Sequence, residues 1–273
     1  MAANSPSTPS VPLHRRLFSR RGSASVVLAL CAALVVVLEI ELARQGWRGW
    51  RSETLGHLIE WSPALARGFA MNVAISLGAI AIGSAIGFVV GAIALTQRLP
   101  GKFARLWVQA FRNAPWLVLI YFTTYVFPFE FTLAGHTLPF PDWLKVTLSL
   151  ALPASANVAE VFRGAVASIP ATQWHAAESL ALSRAQILRL VVVPQCVRRM
   201  LPPWMNVYAI ITMGTALSSL VGIHDLLDTA QIASSTVARS SFTVLTYVAT
   251  LAIFFAWCYP ISRATRWLER RFT

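Results

Sequence analysis

Six runs of about twenty mostly apolar residues, separated by short segments that hold nearly all the charge, constrain this 273-residue chain more than any other feature. They lie at about 23–42, 67–95, 115–133, 143–162, 203–223 and 241–262. Twenty helical residues at 1.5 Å each match a hydrocarbon core of about 30 Å. In lipid a helix satisfies all its backbone groups within one segment, so these runs read as spans. Charged residues make up only 12% of the chain, too few to cover a soluble surface. The expected fold class is therefore all-α, a polytopic transmembrane helical bundle.

The formal charge of +12 raises nucleic acid as a ligand. The arginines, however, sit in short loops between apolar runs and build no continuous basic face, so no nucleic-acid partner is expected. Their distribution orients the chain instead. One set of segments carries sixteen Lys and Arg: four in 1–23, three in 96–106, five in 163–202 and four in 263–273. The alternate set (43–67, 128–142, 224–241) carries five. The positive-inside rule then places both termini in the cytoplasm, with an even number of spans.

Residues 1–22 read as a disordered cytoplasmic start, rich in Ser and Pro and ending in four arginines. The run after them has the layout of a signal sequence. Glu39 and Glu41 stand where a small-x-small cleavage site would lie, so an uncleaved helix is expected. It forms one unit with its outer loop, 23–66. The core domain, 67–262, holds five spans, and 263–273 is a cytoplasmic tail. Gly83, Gly87 and Gly91 recur at four-residue spacing in the second span, a pattern that brings a neighbouring backbone close in lipid. Cys31, Cys196 and Cys258 lie far apart, with neither metal-ligand spacing nor a disulfide framework. No metal site is expected.

The longest inner segment, 163–202, is not composed like a linker. Ile169-Pro170 can open a helix that places Trp174, Ala177, Leu180 and Ala181 along one side. Ser183 and Gln186 have capping-box spacing for a second helix from Arg184 to about Val193, which Pro194 is expected to stop. Glu160 to Asn206 resembles the cytoplasmic signature of ABC importer permeases, in the branch that carries polar amino acids. That signature (Glu-Ala-Ala, three residues, Gly, nine residues, Ile-x-Leu-Pro) aligns with His175-Ala176-Ala177, Ala181 and Val191-Val192-Val193-Pro194. The flanks Ser168-Ile169-Pro170, Gln173-Trp174 and Arg198-Arg199 are similar too. So are Arg112-Asn113-Ala114-Pro115 before the third span, and Gly222-Ile223 with Asp225-Leu226-Leu227 after the fifth. The chain departs from it at several positions, two of them at points of helix geometry, and in the fifth span Met213-Gly214-Thr215-Ala216-Leu217 replaces Lys-Asp-Thr-Ser-Leu. His175 replaces an acidic residue at the helix start, and Ala181 replaces the glycine suited to a left-handed turn.

The resemblance implies a type I ABC permease core over 67–262, with one extra N-terminal helix, in a bacterial inner membrane with a periplasmic outer side. It implies a coupling role toward the ATPase for Trp174, His175, Ala176, Ala177, Leu180, Ala181, Ser183 and Pro194. The implied partners are ABC ATPase subunits, a second permease copy or homologous permease, a periplasmic solute-binding protein, a small-molecule solute and membrane lipid. The chain itself lacks a Walker A loop, because Lys102 and Lys145 precede Phe103 and Val146. It is therefore expected to be no enzyme and to bind no cofactor, with ATP and Mg held by the partner.

Polar residues inside spans are costly and mark pathways. Asn157 and Glu160, at i, i+3, share one helix face near the inner end of the fourth span. With Thr215 and Asn72 they are the candidate substrate-pathway residues. Glu160 has a structural alternative, pairing with Arg163 or Arg112. It also carries the rival reading, a proton-coupled secondary transporter, while a non-transporting scaffold is a third class.

Overall fold

The structure, a computed structural model, describes residues 50–133 and 136–272. The expected first helix, 23–42, and the segment before it lie outside these residues. The chain divides into two compact units, Met1–Gly56 and His57–Thr273. Of the first, only Trp50–Gly56 is described, as the opening turns of a long helix.

The described elements are α1 (Trp50–Ala94), α2 (Leu99–Asn113), α3 (Trp116–Val126), β1 (Glu130–Leu133), β2 (His136–Pro139) and α4 (Asp142–Ala167). They continue with α5 (Ala171–Ser179), α6 (Arg184–Ile187), α7 (Val193–Gly214), α8 (Leu226–Val237) and α9 (Ser240–Phe272). A π turn, Leu188–Val192, joins α6 to α7, and a 3-10 turn, Thr215–Val221, extends α7. Among the described residues, three helical stretches are long and apolar enough to cross a membrane: Glu53–Ala94, Arg184–Val221 and Ser240–Arg271.

Several boundaries differ from those the apolar runs suggested. Residues 50–66, expected in a loop, continue α1, because a run of Leu, Ile, Glu and Ala favours helix whether or not lipid surrounds it. Leu65 there is buried with Leu226 and Ala230 of α8. The third run does not form one span. It is split between the 11-residue α3 and an antiparallel hairpin in which Glu130 faces Pro139 and Leu133 faces His136. Pro115 opens α3, and the helix ends two residues before Pro128, since the residue preceding a proline disfavours helix. Lys145, fully buried, ties α4 to the end of α3 and to Phe129 at the base of the hairpin. Its ammonium lies 3.0 Å from Asp142, donates to the Thr124 carbonyl at 3.3 Å and sits 3.8 Å from the Phe129 ring centre.

Pro194 does not stop the second loop helix. It takes the second position of α7, beside the π turn, where the Val193 amide donates to the Leu188 carbonyl. That wider ring absorbs the hydrogen bond a proline cannot make. The helix therefore runs from Arg184 to Val221 without a stop.

The least apolar of the expected spans, α4, lies in the core. Val146, Leu150, Ala154 and Val158 pack with Ile75, Ala79 and Ile80 of α1 and with Val207 and Ile211 of α7. Its neighbours are protein rather than lipid, so Ser, Thr and Ala serve there as well as Leu would. The glycine stripe of α1 is the contact. A Cβ on Gly83 would lie 2.6 Å from that of Ala154, and one on Gly87 would lie 2.6 Å from the Ser155 carbonyl oxygen. Small residues let these two backbones touch, as the spacing suggested.

Candidate functional site

At one end of α7 lies the loop helix α5. It ends in a Schellman arrangement: the Leu182 amide donates to the Ala177 carbonyl and the Ala181 amide to the Glu178 carbonyl. Ala181 takes the left-handed conformation, with φ 54°, where a glycine would fit without a Cβ penalty. The turn survives the substitution because both ends are anchored. Ser183 caps α6: its amide donates to Gln186 Oε1 at 2.8 Å, and its Oγ accepts from the Gln186 amide at 3.4 Å.

The two faces of this loop differ. Ala177 is buried beneath α5 in a cluster with Phe162, Val166, Ile169, Ile187, Cys196 and Met200, and half-buried Trp174 packs on the same cluster. Ala177 is therefore part of the chain's own packing and not of an exposed docking surface. His175, Ala176, Leu180, Ala181, Ser183 and Pro194 are exposed, and Leu180 is 75% exposed although it is a large apolar residue. His175 is the fifth residue of α5 and not, as the signature suggested, its start, and its Nδ1 lies 3.2 Å from Glu178 Oε2 near the other end of the helix.

Behind the loop, α4 carries Glu160. Its carboxylate lies 3.5 Å from Arg163 and 3.8 Å from Arg112 at the end of α2, and its side chain is 37% exposed. Asn157, one turn earlier, donates to the Pro153 carbonyl at 2.8 Å. Both are half-buried on the shared face the spacing indicated.

Asn72 and Thr215 are not with them. They meet at the far end of α7, in a polar knot around Asp225, a residue whose Asp-Leu-Leu motif carries no role in the sequence pattern. Asn72, Thr215, Ser218 and Asp225 are all 0% exposed. The Asn72 amide donates to Thr215 Oγ1 and to Asp225 Oδ2, each at 3.1 Å, and its Oδ1 accepts from the Leu226 amide at 2.9 Å. Ser218 donates to the same Asp225 oxygen at 2.8 Å, while Asp225 Oδ1 caps α8 by accepting from the Asp228 amide. Burial pushes the Asp225 carboxyl up from its ordinary value, against the pull of the Asp228 amide, Ser218, Asn72 and the Leu227 amide. Every polar group of Asn72 is used inside the knot. Asp-Leu-Leu after a span could have signalled a helix cap, but no local pattern reveals a partner 153 residues away.

Comparison with known proteins follows the same lines. The family model for the binding-protein-dependent transport system inner membrane component matches residues 83–273. A probable amino-acid ABC transporter permease of Bacillus subtilis (strain 168) is 28% identical over 219 residues, 78% of this chain and 91% of that protein. An octopine transport system permease of Rhizobium radiobacter is 28% identical over 76% of this chain and 84% of its own length. Among solved structures, an amino acid ABC transporter crystallised with histidines superposes with a TM-score of 0.68 at 26% identity, covering 78% of this chain and 96% of that one. An inward-facing methionine ABC transporter, at 19% identity and a TM-score of 0.59, shares the fold.

Proposed function

The chain belongs to the family of binding-protein-dependent transport system inner membrane components, and from that membership we propose how its parts divide the work of an amino-acid importer. It is a multi-pass permease subunit of an ABC importer for amino acids, with an all-α type I core. The solute we assign is a polar amino acid or a related compound such as an opine, the cargo named for its relatives. Both termini face the cytoplasm, two permeases pair, and a periplasmic solute-binding protein loads them from outside. ATP and Mg are held by separate ATPase subunits that dock on the loop.

The observation that carries this reading is the union of an exposed loop helix with an unbroken helix into the membrane. Leu180 and Ala176 offer a small apolar surface to a partner groove. Beneath them Ala177, Ile187 and Cys196 bind α5 to the root of α7. A push on α5 is then delivered to a single rod from Arg184 to Val221, because a helix transmits force along its hydrogen bonds better than a jointed loop would. ATP binding draws the two loops of a permease pair together and opens the outer side; hydrolysis and product release reset the inward state. Glu160, flanked by Arg112 and Arg163, presents both charge signs near the inner mouth, which suits a zwitterion passing Asn157. Asn72 and Thr215 we assign to bracing rather than solute contact. A proton-driven carrier is not favoured, since such a carrier needs no dock.

The test is reconstitution of the chain with candidate ATPase and binding-protein partners in proteoliposomes. Amino-acid uptake that requires ATP and survives collapse of the proton gradient is expected. Uptake driven by the gradient without ATP would refute the assignment.

A further inference from the structure

Between the loop ends of α4, α7 and α9 lies a cleft of about 580 Å³ that neither coupling nor the solute path uses. It is lined by Val161 and Gly164 of α4, Ser168 just past its end, Arg199 and Pro203 of α7, and Glu269 of α9. One ordered water needs only about 10–15 Å³ of such space, so the cleft has room for a small organic group. Arg199 is held in place: its Nη1 donates to the Ser168 carbonyl at 2.6 Å and to Ser168 Oγ at 2.9 Å. Both bonds run through one nitrogen, so among the described residues Nη2 and Nε remain for an oxyanion. Glu269 lines the same cleft with the opposite charge. A carboxylate accepts at about four lone-pair positions, so Glu269 can serve an ammonium beside its own neighbour. A simple anion would meet repulsion from Glu269, and a simple cation would meet repulsion from Arg199. A ligand carrying both signs meets neither.

The surroundings fix the level of the cleft. On the last turns of α9, Trp267 is 54% exposed with the Arg271 guanidinium 5.3 Å from its ring, and Arg263, Arg266 and Arg270 stand on the same stretch. Exposed Trp beside Arg at the end of a span marks the membrane–water interface, the level at which lipid headgroups lie. We propose that this cleft binds a zwitterion, with its oxyanion on Arg199 and its ammonium on Glu269, and that the zwitterion is the headgroup of an ethanolamine phospholipid. Val161 and Pro203 then lie against the glycerol region. The inference rests on the membrane placement of the chain and not on the identity of its solute. The same chemistry has a second source, a free amino acid, which the experiment separates.

Full-length chain in detergent is incubated with equal amounts of phosphatidylethanolamine and phosphatidylglycerol, repurified, and its bound lipid counted by native mass spectrometry. Wild type is expected to retain the ethanolamine lipid several-fold over the glycerol lipid. Glu269→Gln should erase that preference, and Arg199→Gln should lower retention of both lipids about tenfold, the scale of losing charge-assisted hydrogen bonds. Gly164→Leu supplies a variant that leaves both charges in place: its Cβ would meet nothing within 4 Å, so it fills the cleft without disturbing packing. It too should lose the lipid. In a second arm, equilibrium dialysis of lipid-stripped chain against labelled glutamine and arginine reads the other source. Saturable binding there that needs Arg199 and Glu269, with no lipid preference in the first arm, keeps the zwitterion site and assigns it to free amino acid. Absence of both signals in wild type, or variants that match wild type in both arms, overturns the proposal.

Discussion

The two ends of α7 handle polar groups in opposite ways. At the far end, Asn72, Thr215, Ser218 and Asp225 are sealed at 0% exposure and spend their hydrogen bonds on one another and on the start of α8. At the loop end, Glu160 pairs with Arg112 and Arg163, and His175 contacts Glu178, all partly open to water. An unmade hydrogen bond costs about 1–3 kcal/mol when buried, whereas an exposed ion pair is worth at most about 1 kcal/mol. The sealed knot therefore fixes architecture, and the open end is free to exchange partners as a transport cycle requires.

The sharpest way to break this contrast is at its sealed end. Asp225→Ala removes one acceptor from the Asn72 amide and one from the Ser218 hydroxyl, each left with Thr215, and it removes the α8 cap, so a loss on the order of 2–3 kcal/mol is expected. The measurement is thermal unfolding and yield of the purified chain. Wild-type stability would mean that water reaches the knot and that the contrast is false. Asp225→Asn, which keeps an acceptor for the Asp228 amide, should cost less.

Ala177→Glu probes the boundary between the two behaviours, because Ala177 is only 4% exposed although it sits in the loop. A charge forced into that apolar cluster should free α5 from α7 while the spans still insert. Limited proteolysis should then cut near residues 171–183 in the variant and spare the wild type. Intact loops in both would place Ala177 on the partner-facing surface instead.

On the open face the expected signs reverse. Leu180→Glu should leave the melting temperature within experimental scatter, since the side chain is already in solvent, yet abolish solute-stimulated ATP hydrolysis in the assembled complex. Glu160→Gln should change stability by less than about 1 kcal/mol and reduce uptake. Unchanged uptake would take the arginine-flanked carboxylate out of the solute path.

The smallest expected effect is a gain. Ala181→Gly relieves a left-handed alanine and should stabilise the loop by roughly 1 kcal/mol, seen as slower amide exchange over 171–183. Faster exchange would mean that the added freedom of glycine in the unfolded loop outweighs the relief.

The sequence alone determined that this chain lives in a membrane, that its helices pack through small residues and that one loop is structured. Each of these depends on local pattern. Lipid demands long apolar helices, close approach demands glycine at four-residue spacing, and Ser183 with Gln186 specifies its own cap. Tertiary structure decided what local pattern cannot carry. The run at 115–133 is apolar enough to suggest a span, yet it folds as a short helix and a hairpin once Lys145 has partners in Thr124, Phe129 and Asp142. The least apolar span proved to be the most enclosed, because hydropathy measures fitness for lipid and α4 meets protein. Ala177 and Leu180 lie along one side of a single helical turn in the sequence pattern, and only the packing beneath α5 separates the buried one from the exposed one. Asn72 reads from sequence as a candidate pathway residue, and only the folded chain shows that it is bonded to Asp225, 153 positions away. Whether a polar group is a site or a brace depends on what surrounds it, and that environment is made by segments distant in sequence.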